Sequence, residues 1–189
     1  MTSAEHRAIR EAYATARELR NHWTRLGRRL GGPPGDYLAE GADAAGELLA
    51  ELESGTPVPG VPMAQGVGAS LGGAHAVSDL MLERNQAFRA ALLELARLTI
   101  LAGYLGGLAR ARGDAELADR HARAEERLRE LEERGRAIAV TLANDPEAAI
   151  APAEGGALGL AGQRIGALMG SVGEAIDSSR LGRFARRHQ

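Results

Sequence analysis

The residues whose types and spacing come nearest to chemistry are His121 and Glu125. Four positions apart on a helix, an imidazole and a carboxylate share one face and could hold a metal ion between them. A ferritin-like di-iron centre asks for more, namely Glu-x-x-His on two helices with further inward glutamates. None of His6, His22, His75, His121 and His188 has a glutamate three residues before it. The plainer role for His121 is a hydrogen-bonded histidine that sets the register of a helix seam. His121 and Glu125 stand as the metal candidates, and no cofactor is assigned.

A second pattern is Gly68-Ala69-Ser70-Leu71-Gly72, which matches the G-x-S-x-G of a nucleophile elbow, with His75 close by. That chemistry needs a strand before the serine and a helix after it, so that the hydroxyl sits on a strained turn above a parallel sheet. What precedes it here is rich in proline and glycine. The chain has no cysteine, which removes disulfides, thiol catalysis and thiolate metal sites together. Its 23 basic side chains are all arginine, so neither a P-loop lysine nor a lysine Schiff base is available. No catalytic residue is assigned, and the chain reads as a non-enzyme.

The elements around these residues are more informative. Leu117, His121, Ala124, Leu128, Leu131, Gly135, Ile138 and Leu142 recur at alternating spacings of four and three, the period of an a/d seam. Between them the residues are charged, with Glu125–Arg129, Glu130–Arg134 and Glu132–Arg136 in the favourable i,i+4 order. The preceding stretch is apolar on several faces, and Glu94 and Arg97 are its main interruptions. Such a helix is buried on more than one side. Arg112-Gly113-Asp114 joins the two, with Gly113 suited to end one helix and Asp114 to cap the next. Residues 76–143 therefore read as an antiparallel helical hairpin, with helices over 76–111 and 115–143. The uncharged run between Arg97 and Arg110 falls short of the ~20 residues of a bilayer span.

Upstream, Thr2 and Glu5 fit a capping box, and a heptad through Ile9, Trp23 and Leu30 predicts a helix over 4–30. Gly31-Gly32-Pro33-Pro34 reads as its break. The next helix, over 36–53, is wholly acidic, whereas 4–30 carries seven arginines against three glutamates. The two are expected to lie antiparallel and to neutralise each other, or to offer one charged face to a partner. Residues 54–73 form an apolar Pro/Gly-rich arm, in which Val58, Val61, Met63, Val67 and Leu71 are candidate contact residues. Such a length without regular structure must either cross the bundle or lie on a partner.

Asp145-Pro146-Glu147 signals a short helical turn. The spacing then predicts a last helix over 158–183, where Gly162, Gly166 and Gly170 form a small-residue row that needs a close neighbour. Gly103 and Gly107 offer a matching row. The chain closes on a basic tail, with Arg183, Phe184, Arg186 and Arg187 as further interaction candidates.

The net charge of −2 and aromatic content of 3% argue against nucleic acid as a partner. No apolar signal-peptide core opens the chain, so the default address is cytoplasmic. The expectation is one all-α domain over 1–189: a helical bundle of about five helices built on the long antiparallel hairpin. Its expected role is that of a structural or protein-interaction module that self-assembles (homo-oligomer) or joins another protein in a larger complex. The alternatives are a bundle that binds a small ligand or metal in its core near His121, and reversible membrane-surface association through the last helix.

Overall fold

The computed structural model describes residues 2–55 and 82–151. They form five helices: α1 (Ser3–Leu30), α2 (Gly32–Gly55), α3 (Arg84–Ala111), α4 (Ala115–Leu142) and the single turn α5 (Pro146–Ala149). No strand occurs among the described residues. The all-α class and the α3–α4 hairpin are as the sequence implies.

The ends of the helices follow from local chemistry. At the start of α1 the Thr2 hydroxyl accepts the Glu5 N–H at 3.3 Å, and the Glu5 carboxylate accepts the Thr2 N–H at 2.5 Å. The Thr2 N–H, with help from its hydroxyl and from Arg112, holds the Glu5 carboxyl below its ordinary value. Between α3 and α4, Gly113 takes φ 82°, where a side chain would be strained, and the Asp114 carboxylate accepts the Leu117 N–H at 3.1 Å. Asp145 caps α5 in the same way, through the Ala148 N–H at 3.0 Å.

Two boundaries differ from the sequence reading. The break after α1 is the single residue Gly31, and it and Gly32, the first residue of α2, take φ 59° and 56°. Pro33 and Pro34 sit inside the first turn of α2, where a missing N–H has no intrahelical partner to lose and the fixed φ is already helical. The second concerns α3, which begins at Arg84 and not near 76; Leu82 and Glu83 stand outside it. The apolar Leu80-Met81-Leu82 continues the helical spacing in sequence, but Glu83 caps the helix, and its N–H donates to Gln86 Oε1 at 3.4 Å. Ser54 and Gly55 belong to the last turn of α2. The rest of the arm, with Val58, Val61, Met63, Val67 and Leu71, lies outside the described residues. So do the 158–183 helix with Gly162, Gly166 and Gly170, and the tail with Arg183, Phe184, Arg186 and Arg187.

Side-chain pairings fix the topology. Gly27 faces Gly35 and Trp23 faces Gly41, so α1 and α2 are antiparallel. Gly106 faces His121 and Leu92 faces Gly135, so α3 and α4 are antiparallel as well. Between the hairpins, Glu5 meets Arg112 near one end and Leu30 meets Arg84 at the other, so α3 runs against α1. Consequently α2 and α3 point the same way. The chain leaves α2 at one end of the bundle and enters α3 at the other, a return of ~36 Å along a helix of 24 residues.

Apolar packing concentrates where all four long helices meet. Trp23, Tyr37 and Phe88, one from each of α1, α2 and α3, form a chain of rings with centroids 5.6 and 5.7 Å apart. Trp23 and Phe88 are fully buried. Gly41 lies on the face of Trp23, and Gly135 of α4 leaves the space that Leu92 and the Tyr37 hydroxyl occupy. That hydroxyl donates to the Leu131 carbonyl at 2.8 Å, and burial pushes the phenol far above its usual range. Two glycines thus admit three aromatic rings.

Candidate functional site: the outer face of α3

Carboxylates of both α1 and α2 reach across to the second hairpin. The α1–α2 hairpin forms as expected, and Tyr13 of α1 donates to Glu53 of α2 at 2.8 Å. Yet Glu40 and Glu51 of α2 reach across to Arg134 and Arg127 of α4, at 2.6 and 2.7 Å. Glu11 and Glu5 of α1 pair with Arg97 and Arg112 of α3, at 2.9 and 3.3 Å. Charge complementarity therefore joins one hairpin to the other.

Both polar interruptions of α3 find their purpose in the same way. Arg97 pairs with Glu11, and the Glu94 carboxylate accepts from Nδ1 of the buried His22 at 2.8 Å. His22 is only 1% exposed. This histidine–carboxylate pair joins residues 72 positions apart, and only the lone Glu94 in an apolar run signalled it.

The sequence's own metal candidates are brought onto one face but not completed. His121 is buried in the α3–α4 seam against Gly106, and burial holds its imidazole below the ordinary value. The Glu125 carboxylate lies over Gly103 and pairs with Arg129. No group of three or more His, Asp or Glu side chains is placed to hold a metal ion among the described residues. Gly103 is therefore already occupied by α4, whereas nothing lies within 4 Å of where a side chain at Gly107 would point.

A cleft of about 560 Å³ opens at the end of the bundle that holds Leu30 and Leu142, lined also by Pro33, Pro34, Arg84 and Asn85. Arg84 is committed to the Leu30 carbonyl at 2.5 Å. His121 lies 21 residues before Leu142, ~30 Å away along α4. The cleft and the candidate ligand residue are thus at separate places in the bundle.

The feature that stands out is on α3. Its inner surface packs on α1 and α4 and buries Phe88, Leu95, Leu98 and Leu105. Its outer surface is apolar too. Leu93 is 73% exposed, Ile100 71% and Tyr104 53%. With exposed Ala90, Arg97, Gly107 and Ala111 these positions follow the 3–4 spacing of a helix seam. Single exposed leucines are common on protein surfaces, but large apolar side chains that recur along one face, here on both sides of Arg97, mark a contact site. By length and composition α3 could also cross a membrane, although half of its most apolar window is buried within the bundle. The sequence reading counted only the run after Arg97; the helix as formed has 28 residues. Comparison of the chain with models of protein families, with curated proteins and with solved structures gives no match.

Proposed function

We propose that this protein is a structural, non-enzymatic protein-interaction module of the cytoplasm, acting through the outer face of α3. The observation that carries this reading is the outward seam of Leu93, Ile100 and Tyr104 on a helix whose other faces are already packed. A seam at the 3–4 period fits another helix, and a second copy of the same chain supplies one by symmetry. The experiment is mass by light scattering after size exclusion, over a range of protein concentrations. The expected result is a mass that rises above the 19.8 kDa of one chain as concentration increases. A mass of one chain at every concentration contradicts self-assembly.

A further inference from the structure

We infer that the cleft at the Leu30–Leu142 end of the bundle binds a small aliphatic monocarboxylate, with the carboxylate held by Arg84. The site is separate from the outer face of α3 and does not depend on assembly through it.

Three observations carry it. The first is the cavity and its walls. Its volume of about 560 Å³ lies within the ~300–1,000 Å³ usual for small-molecule pockets. Leu30, Pro33, Pro34, Leu142, Ala148 and Ala149 make the walls mainly apolar. Local sequence creates the space. Gly31 and Gly32 carry no side chain, and nothing lies within 4 Å of where one would point. Asn144 and Asp145 then turn the chain, so that α5 supplies another wall.

The second is Arg84, the one basic side chain among the described residues that line the cleft. It is partly buried, and its Nη2 is fixed on the Leu30 carbonyl at 2.5 Å. A guanidinium has five N–H donors, so this anchor orients the group and leaves others to give. No carboxylate pairs with Arg84 among the described residues. Arg97 and Arg112 of the same helix each meet one, and Arg89 and Arg110 stand exposed to water.

The third is the cleft's own acid. Asp145 lines it too, but its carboxylate accepts the Ala148 N–H at 3.0 Å and forms no ion pair with Arg84. The cleft therefore sets an unpaired, partly desolvated cation beside an apolar surface.

Those features select the ligand's chemistry. A carboxylate matches the planar guanidinium through two parallel N–H···O bonds. The aliphatic body behind it takes Leu30, Leu142 and the two proline rings out of water. A neutral apolar molecule would cover Arg84 without giving it a partner, which burial penalises. A compact polyanion would find one cation and no use for the apolar walls.

The test is calorimetric titration of the full chain with octanoate, and with octanol, which has the same carbon chain and no charge. Octanoate should bind with Kd below about 1 mM, and octanol about ten-fold or more weakly. Arg84→Gln should remove that preference. Ala149→Trp, which fills the cleft from α5 and leaves Arg84 in place, should abolish uptake of both. Leu93→Glu with Ile100→Glu on the outer face of α3 should change neither, whatever it does to the mass of the protein. A parent chain that takes up no octanoate overturns the inference, and so does equal binding of octanol. Octanoate binding that survives Ala149→Trp, or that is lost with the α3 glutamates, also overturns it, because the ligand then sits elsewhere. Thermal unfolding checks each variant; if Arg84→Gln does not fold, the octanoate–octanol difference and Ala149→Trp decide the matter.

Discussion

The two helices of the central hairpin have the same length, 28 residues, and opposite characters. α4 is apolar along its seam; its outer surface is mostly arginine and glutamate, joined in i,i+4 pairs such as Glu125–Arg129 and Glu132–Arg136, with Val140 exposed near its end. α3 is apolar on the seam and on the outside as well. The bundle leaves α4 a single large exposed apolar side chain, Val140 near its end. It leaves α3 with a stripe that water tolerates but does not favour, and that difference separates a helix that finishes the fold from one that offers a surface.

The contrast can be broken from the inside outward. Trp23→Ala removes the ring on which Gly41 and Tyr37 pack. Denaturant unfolding should show a loss of about 3–5 kcal/mol, the range for a large buried aromatic. Gly135→Ala places a methyl group where the Tyr37 hydroxyl and Leu92 already sit, so the α2, α3 and α4 contacts must shift. Overpacking of this kind costs about 1–3 kcal/mol, against a small gain in helix propensity. If Gly135→Ala proves neutral in the same assay, the close fit around Tyr37 is wrong.

A smaller effect should appear with pH at His121. Burial lowers its folded pKa below the ordinary 6.5, so the unfolded chain binds the proton more readily. Stability is then fully present above the unfolded value and declines as pH falls below it, until the folded value is passed. His121→Gln should flatten that decline in thermal unfolding scans between about pH 7 and 5. An unchanged slope would remove His121 from the account.

The outer surfaces should respond least in stability. Arg129→Ala on α4 breaks one exposed i,i+4 pair and should cost no more than about 0.5 kcal/mol. Leu93→Glu with Ile100→Glu on α3 should also leave unfolding within about 0.5 kcal/mol per site, since both side chains are exposed. The two should diverge in what they do to assembly.

Much of the fold was legible because α4 and α1 separate their faces cleanly. In α4 nearly every position is either apolar at seam spacing or charged, so Leu128, Leu131 and Gly135 could be placed inward from sequence alone, and they are buried. The Thr2–Glu5 cap and the Gly113-Asp114 turn were equally plain, because each depends on residues close in sequence. What was not legible depends on residues far apart. The Trp23–Tyr37–Phe88 chain and the His22–Glu94 pair arise only once the helices are stacked. The start of α2 was misplaced because two prolines signal a break and a first helical turn with the same residues. For the outer face of α3 the signal was present but ambiguous. An apolar helix tells that it is covered on several sides, not which side the rest of the chain leaves open.

The central claim is that α3, and not α4, carries the contact surface. Light scattering on the full chain, on Leu93→Glu/Ile100→Glu, and on Glu126→Gln/Glu133→Gln of exposed α4 tests it in one series. The account predicts that the α4 variant keeps the parent's concentration-dependent mass, while the α3 variant stays at 19.8 kDa throughout. Equal masses for the α3 variant and the parent at high concentration would contradict it.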